Sequence, residues 1–443
     1  MNITTKKNSN FFLLGLILFM VLPQSLWATN GMNMIGYGAI SSGMGGADLA
    51  LVDNVTAMNI NPAGLAGCCR AQISIGDSTM QPRNQHYDKH GNDTQAAHQN
   101  FHLPLLAWSY PLKTQPFILG LGLFAQGGMG VKYSLRMPFA DIIHMTKEKD
   151  ELSSEIGYMK FTPTIAWHSD DKRLKLGVSL NVGYASAAMS MFPHTSLFFD
   201  NNGDGAASAP NEVAFFGMKM DNSRASATGI RLGFQYQAGE FTIGGAYLSS
   251  TKMKFNDGKT KINYSAIDLG VVEYDTKLTG FNWPQQLGLG ISYQINSRLK
   301  IAADIDWVDW SSAMKEIKFT IDKPNNPNAP PGNTMIYPMH WKDQWIYAVG
   351  CEYTITPDLL IRLGYNHGNN PVPSEYLLPF FPAIIEDHIT IGSDIKFEHL
   401  KVSIALEWGL DNKVKSKNSL FCKHGFKEDS AQFTTHLMIS YCM

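Results

Sequence analysis

The sequence is short of charge, of cysteine and of long apolar runs. Only 17% of the 443 residues are Asp, Glu, Lys or Arg, and the formal net charge is −2. That balance lacks the basic footprint of a nucleic-acid binder, so no nucleic-acid partner is expected. The five cysteines, Cys68, Cys69, Cys351, Cys422 and Cys442, are odd in number and irregular in spacing. They suit neither a disulfide framework nor a metal-ligand set, and no cofactor is expected. After the first thirty residues no eighteen consecutive residues are apolar, which excludes a helical membrane span. What is plentiful is glycine, at 39 residues, and aromatic side chains, at 11%. So many aromatics with so few charges argue against disorder and for one large β architecture.

Lys6 and Lys7 precede the apolar run from Phe11 to Leu22, and Pro23 and a Ser-Leu-Trp-Ala stretch follow as far as Ala28. A basic start, a short apolar stretch and a small exit residue predict a signal peptide over 1–28 and hence export. The run is too short for a hydrocarbon core that needs about twenty residues.

Alternation dominates the rest. From Leu400 to Leu410, one row reads Leu400, Val402, Ile404, Leu406, Trp408 and Leu410, and the other Lys401, Ser403, Ala405, Glu407 and Gly409. Successive strand side chains point to opposite faces, so this predicts a strand with one apolar and one small or polar face. The pattern recurs at Leu174–Ala185, Phe117–Gln126, Leu299–Trp307, Trp345–Thr354, Leu359–Asn366 and Leu437–Met443. A soluble sandwich alternates too, but its strands average about five or six residues. These runs reach ten to twelve, as a tilted membrane strand requires. Trp307 with Trp310, Trp341 with Trp345, and Trp408 stand near run ends, where interfacial girdles are expected.

Six short turns separate runs, at 111–116, 169–173, 238–239, 296–297, 356–357 and 398–399. Seven longer polar connections fall near 80–100, 127–155, 188–225, 254–264, 322–341, 367–386 and 411–431. Thirteen connections predict fourteen strands, over residues 71–443, as an all-β antiparallel transmembrane barrel of a bacterial outer membrane. Pro284 marks either a bend in one strand or an extra turn.

Residues 29–70 do not alternate. They carry Gly36-Tyr37-Gly38, Gly43-Met44-Gly45-Gly46-Ala47 and Asn61-Pro62-Ala63-Gly64. Glycine permits tight turns and Asn-Pro fixes one. A flexible tail is one reading. A phosphate-binding loop is a weaker one, for want of a following Lys-Ser/Thr. A compact, partly apolar plug for a barrel lumen is the third.

This succession resembles the N-terminus of FadL-type outer-membrane transporters. Pro284, Trp307-Val308-Asp309-Trp310-Ser311, Trp341-Lys342-Asp343, Arg362-Leu363-Gly364 and Pro371-Val372-Pro373 follow in that family's order. The resemblance implies a fourteen-stranded barrel with an N-terminal hatch bearing the Asn61-Pro62-Ala63 motif. It also implies passive uptake of hydrophobic compounds, long-chain fatty acids first and aromatic hydrocarbons as the alternative. Lateral release is implied through a kink in the third strand, here beside Gly127, Gly128 and Gly130. Leu377, Leu378, Phe380 and Phe381 are expected to capture substrate on loop surface, and Arg362 or Lys300 to meet a carboxylate head. The expected partners are the hydrophobic substrate, outer-membrane lipid and the barrel-assembly machinery, with the protein acting as a monomer. Asp387-His388 stands where the family has an acidic residue followed by Arg, so no role of that Arg carries over.

Asp200, Asn202 and Asp204 have half the spacing of a calcium loop, but Glu212 falls one place late and no helices flank them. A polar loop tip is the expected reading. A general porin needs no hatch. A barrel esterase needs a Ser–His pair at the rim, and no Gly-x-Ser-x-Gly elbow is present. An enzyme is not expected.

Overall fold

In the computed structural model, the described residues are 30–137, 148–202, 207, 212–417, 421–422 and 424–443. The expected signal peptide lies outside them. The strands form one closed ring of fourteen. In chain order they are β1 (Gln72–Asp88), β2 (Phe101–Pro111), β3 (Phe117–Arg136) and β4 (Lys149–Phe161, continued as Thr164–His168). Next come β5 (Leu174–Phe199), β6 (Val213–Ala238), β7 (Phe241–Leu248 and Phe255–Asn263) and β8 (Val271–Thr279 and Gln286–Gln294). The ring continues with β9 (Leu299–Val308 and Glu316–Asp322), β10 (Asn333–Pro338 and Gln344–Thr356), β11 (Leu359–Gly368) and β12 (Asp387–Phe397). It closes with β13 (Leu400–Ser416) and β14 (Phe426–Cys442), which pairs with β1 from Gln72–Cys442 to Asp88–Phe426.

All six short turns fall where alternation lapses, and both chain ends of the barrel lie on their side, the periplasmic one. Most long connections are corrected to shorter ones, because strand extends into them: β1 runs to Asp88, β3 to Arg136, β5 to Phe199 and β13 to Ser416, while β4 starts at Lys149, β6 at Val213 and β14 at Phe426. Residues 255–263, read as loop, belong to β7, and the loop is 264–270. Lys259 and Lys261 there face outward and pair with Asp275 and Asp221, so this strand segment stands in water above the lipid and carries no apolar row.

The outward rows are apolar lower down: Leu176, Val178, Leu180 and Val182 on β5, and Ile230, Leu232 and Phe234 on β6, are all exposed. Trp408 against Phe433, with ring centroids 5.6 Å apart, marks the upper edge of that band. Above it the outward side chains turn charged, as in the Lys413 contacts to Asp411 and Asp429.

Strands β7 to β10 are each interrupted midway, and Pro284 lies in the break of β8, so it marks a bend inside one long strand. These breaks turn Phe281, Trp283, Trp310, Met314 and Trp341 into the lumen. Trp310 and Trp341, expected in a girdle, are therefore corrected to core positions, and their rings stack edge to face at 5.1 Å.

Candidate functional site

Residues 30–70 fill the lumen as a hatch built from one short helix, α1 (Gly38–Gly43), and two 3-10 turns, Val55–Asn59 and Pro62–Gly67. Asn61 begins the second turn. Its Oδ1 accepts from the Ala63 amide at 3.2 Å, and its Nδ2 donates to Leu49 O at 2.7 Å and Phe234 O at 2.9 Å. The motif thus ties hatch to hatch and hatch to β6. Room for it comes from two wall glycines. A Cβ on Gly177 would lie 2.2 Å from the Pro62 carbonyl carbon, and one on Gly233 would lie 2.1 Å from Asn61 Oδ1. On the far side, Asp304 Oδ2 accepts from the Asp48 and Leu49 amides at 2.7 and 2.8 Å. The hatch is held at two walls.

Gly127, Gly128 and Gly130 lie in an irregular stretch of β3. Inward and outward residues alternate along most of β3, but every residue from Phe124 to Val131 is buried. Pairing with β2 stops at Leu105–Phe124, and the register to β4 shifts between Ala125 and Gly127. Gly127 has φ 151°, a conformation side chains disfavour. The strand has bent into the lumen and left a gap on its β2 side. Hatch backbone meets it there. Asn33 bridges Gly127, and the Gly128 amide donates to Met32 O at 3.1 Å. Asn33 Oδ1 accepts from Trp283 Nε1 at 2.9 Å and Gln126 Nε2 at 3.3 Å, while Tyr37 OH donates to Gln126 O at 3.1 Å. Tyr158, Trp283, Trp310 and Trp341 form a run of touching rings beside the gap.

Above lies an apolar cleft bounded by Ile156, Leu278, Phe281, Phe319, Phe380 and Phe381, with only about 30 Å3 free. The capture residues are not loop surface: Leu377, Leu378 and Phe380 are buried, and Phe381 is half-buried. The loop 369–386 folds down into the mouth because its apolar residues find Phe281, Phe421 and the cleft there. Sequence alternation carries no information about a loop that folds inward.

Arg362 and Lys300 lie together at the periplasmic end, below the hatch, and neither bounds the apolar cleft. Arg362 is committed to Asp394 by two bonds, at 2.7 and 2.9 Å, and to Glu352 at 2.9 Å. Lys300 reaches Glu352 at 4.0 Å.

A cation the sequence did not single out occupies the lumen instead. Lys160 on β4 is 2% exposed and its Nζ has no hydrogen-bond partner. It stands opposite Phe124, at the foot of the bent stretch of β3. The inward sides of β5 and β6 add Asn181 Nδ2 and Arg231 Nε, which also lack acceptors, although Arg231 Nη1 donates to Ile60 O at 2.5 Å. The signal available for it was the inward parity of Ile156, Tyr158 and Lys160, just past the connection read at 127–155.

Asp200 and Asn202 sit at a loop tip, where Asn202 N donates to Asp200 Oδ1 and Glu212 Oε1, each at 3.2 Å. Asp204 lies outside the described residues. Among the described residues no three His, Cys, Asp or Glu side chains are grouped to hold a metal.

The family model for outer membrane protein transport proteins (OMPP1/FadL/TodX) matches residues 28–383. No curated protein matches the chain in sequence. Among solved structures, the Pseudomonas putida toluene transporter TodX aligns with a TM-score of 0.75 at 20% identity, over 92% of this chain and 99% of that one. The Ralstonia pickettii toluene transporter TbuX gives 0.71 at 19% identity, over 92% and 99%. A Pseudomonas aeruginosa FadL homologue gives 0.71 at 17% identity, over 93% and 99%. At these identities the likeness is one of fold.

Proposed function

This chain belongs to the OMPP1/FadL/TodX family of outer-membrane transport proteins, and from that premise we propose that it carries long-chain fatty acids inward by passive diffusion. The observation that supports an acid-headed cargo is Lys160, buried and without a partner beside the bent stretch of β3. Holding an ammonium at membrane depth without a counter-charge is costly, so burial alone favours the neutral amine. A carboxylate passing through the lumen relieves that cost, and Arg231 with its free Nε adds a second donor.

The route runs from the apolar cleft, past Tyr158 and Trp283, to the gap between β2 and β3. Release into periplasmic water would cost about 0.8 kcal/mol per methylene, or roughly 14 kcal/mol for a chain of ~17. Release sideways into lipid avoids most of that. The gap is closed by hatch residues Met32 and Asn33, so opening is their withdrawal from Gly127 and Gly128, with the doubly bonded Asn61 as the fixed point. The passage needs no energy input, because the cargo leaves water for lipid.

Aromatic hydrocarbon uptake is the second reading, favoured by the ring-lined passage, the small cleft and the toluene transporters of like fold. The two separate in one experiment, uptake of labelled oleate and of toluene by cells lacking their own transporter. The fatty-acid reading expects protein-dependent oleate uptake that Lys160→Met removes and Lys160→Arg retains. Toluene uptake without oleate uptake replaces it, whereas oleate uptake indifferent to Lys160→Met takes Lys160 out of the route.

A further inference from the structure

Asn33, which closes the gap, also lines a chamber between hatch and wall with about 50 Å3 free. Unlike the apolar cleft, this chamber is polar, and several of its polar atoms have nothing to bond. Asn30 Oδ1, Asp48 Oδ2, Asn59 Oδ1 and Asn366 Oδ1 all lack a donor, and each of these residues is more than nine-tenths buried. Asn59 is the extreme case: it is 0% exposed, and neither its oxygen nor its nitrogen has a partner. The orientation of Asn366 is set by its Nδ2, which donates to Gly45 O at 2.9 Å and leaves the oxygen over. Buried oxygens without a partner are costly to keep.

Charge at the chamber is unbalanced as well. Asp48 and Asp306 line it against one cation, Arg231. Asp304 adds a third carboxylate, whose Oδ2 accepts from the Asp48 and Leu49 amides while Oδ1 has no partner. Arg362 lies on the periplasmic side of Asp48, but Asp394 and Glu352 hold it. Lys160 does not line the chamber. Two backbone amides solvate Asp304, and Arg231 offsets a second carboxylate. One negative charge is left without a counter-charge, in a place where burial makes that expensive. Hydrogen-bond donors alone satisfy the oxygens and leave the charge. A cation answers both.

We propose that the chamber binds one alkali-metal cation, with Asp48 as its charged ligand and the amide oxygens of Asn30, Asn59 and Asn366 as neutral ones. Oxygen ligands suit a hard cation. A divalent ion is disfavoured, because among the described residues no three acidic side chains are grouped to hold it. The ion draws three stretches of hatch together and ties them to β11 at Asn366. Asn30 exchanges two backbone bonds with Asn33, at 2.8 and 3.1 Å, so the ion also steadies the residue that closes the gap. The inference stands whichever cargo is carried.

The probe is thallous ion, an alkali-metal stand-in that scatters anomalously, soaked into crystals of the detergent-solubilised protein. One anomalous peak is expected in the chamber, in contact with Asp48, Asn59 and Asn366. Asp48→Asn should lose most of it, and Asp53→Asn, which removes an exposed hatch carboxylate, should keep it. A chamber without a peak, or a peak that Asp48→Asn leaves undiminished, overturns the site. Should Asp48→Asn fail to insert, judged by heat-modifiable mobility, the wild-type soak decides alone. In solution, hydrogen exchange over 30–37 should be slower in sodium chloride than in choline chloride of equal ionic strength, and Asp48→Asn should erase the difference. Wild-type exchange indifferent to the salt overturns the ion's hold on the gate.

Discussion

Asn33 and Gly127 form an antiparallel bridge between the hatch and the barrel wall. The bent β3 leaves backbone groups that lipid cannot satisfy, and the hatch supplies a short strand-like partner for them. Asn33 does more with its side chain, accepting from both Trp283 and Gln126. Asn33→Ala strands the buried indole NH, at a cost of about 1–3 kcal/mol. We expect faster hydrogen exchange over 30–37 and 126–130, with an unchanged melting temperature for the barrel. Unchanged exchange there means the bridge does not hold the gap shut.

The hatch seat is a matter of space. Gly177→Ala and Gly233→Ala each put a methyl onto Pro62 or Asn61. Overpacking of this kind costs about 1–3 kcal/mol. Both variants should still insert as barrels, because their outward neighbours are untouched, but limited proteolysis should release the hatch. A hatch as resistant as wild type contradicts the close seating.

His86 gives a pH dependence. It lies above the lipid-facing band, fully buried, with Asp88 Oδ2 at 3.3 Å, Glu428 on its other nitrogen, and Tyr133 OH donating to Glu428 at 2.9 Å. Burial alone would lower the imidazole, but hydrogen bonds and charge from Asp88 and Glu428 outweigh it and push it up to about 9. A raised folded value means that the unfolded chain releases the proton first. The stabilisation, at most about 3 kcal/mol, is complete below the free value near 6.5 and lost as pH climbs through 9. Thermal unfolding from pH 6 to 10 should show that decline, and His86→Gln should flatten it.

Cys68 and Cys69 are neighbours with opposite fates. Cys69 is exposed, whereas Cys68 is buried, and burial with the nearby Asp53 charge pushes its thiol up to about 12. Maleimide should label Cys69 in the folded protein and reach Cys68 only after unfolding. Mass spectrometry of the labelled peptide decides it, and equal labelling of both thiols contradicts the packing.

Much of the barrel was legible because lipid imposes a rule that sequence can carry. An outward residue on β5 or β13 has to be apolar, so Leu176, Val178 and Val402 announce their faces. That rule lapses wherever lipid is absent. Lys259 and Lys261 extend β7 into water and read as loop. Trp310 and Trp341 turn inward because their strands break, which parity along one strand does not reveal. Leu377 and Phe380 fold into the mouth, where their partners come from other loops. Lys160 was missed for a related reason: its meaning lies in what does not surround it, and only the assembled lumen displays that.

The seam between β1 and β14 has a consequence for how the molecule is made. Ser74 Oγ donates to Ser440 Oγ at 2.7 Å, across 366 residues of sequence. Among the described residues, every hatch contact with β12 to β14, such as Thr390 Oγ1 to Gly43 O, also waits for the end of the chain. The first strand must therefore hold an unpaired edge while all the others are laid down. Once the seam zips, the hatch has partners on opposite walls, at Asp304, Phe234 and Thr390. The plug can complete its seat only when its container is complete, so the strands made last finish the gate as well as the wall.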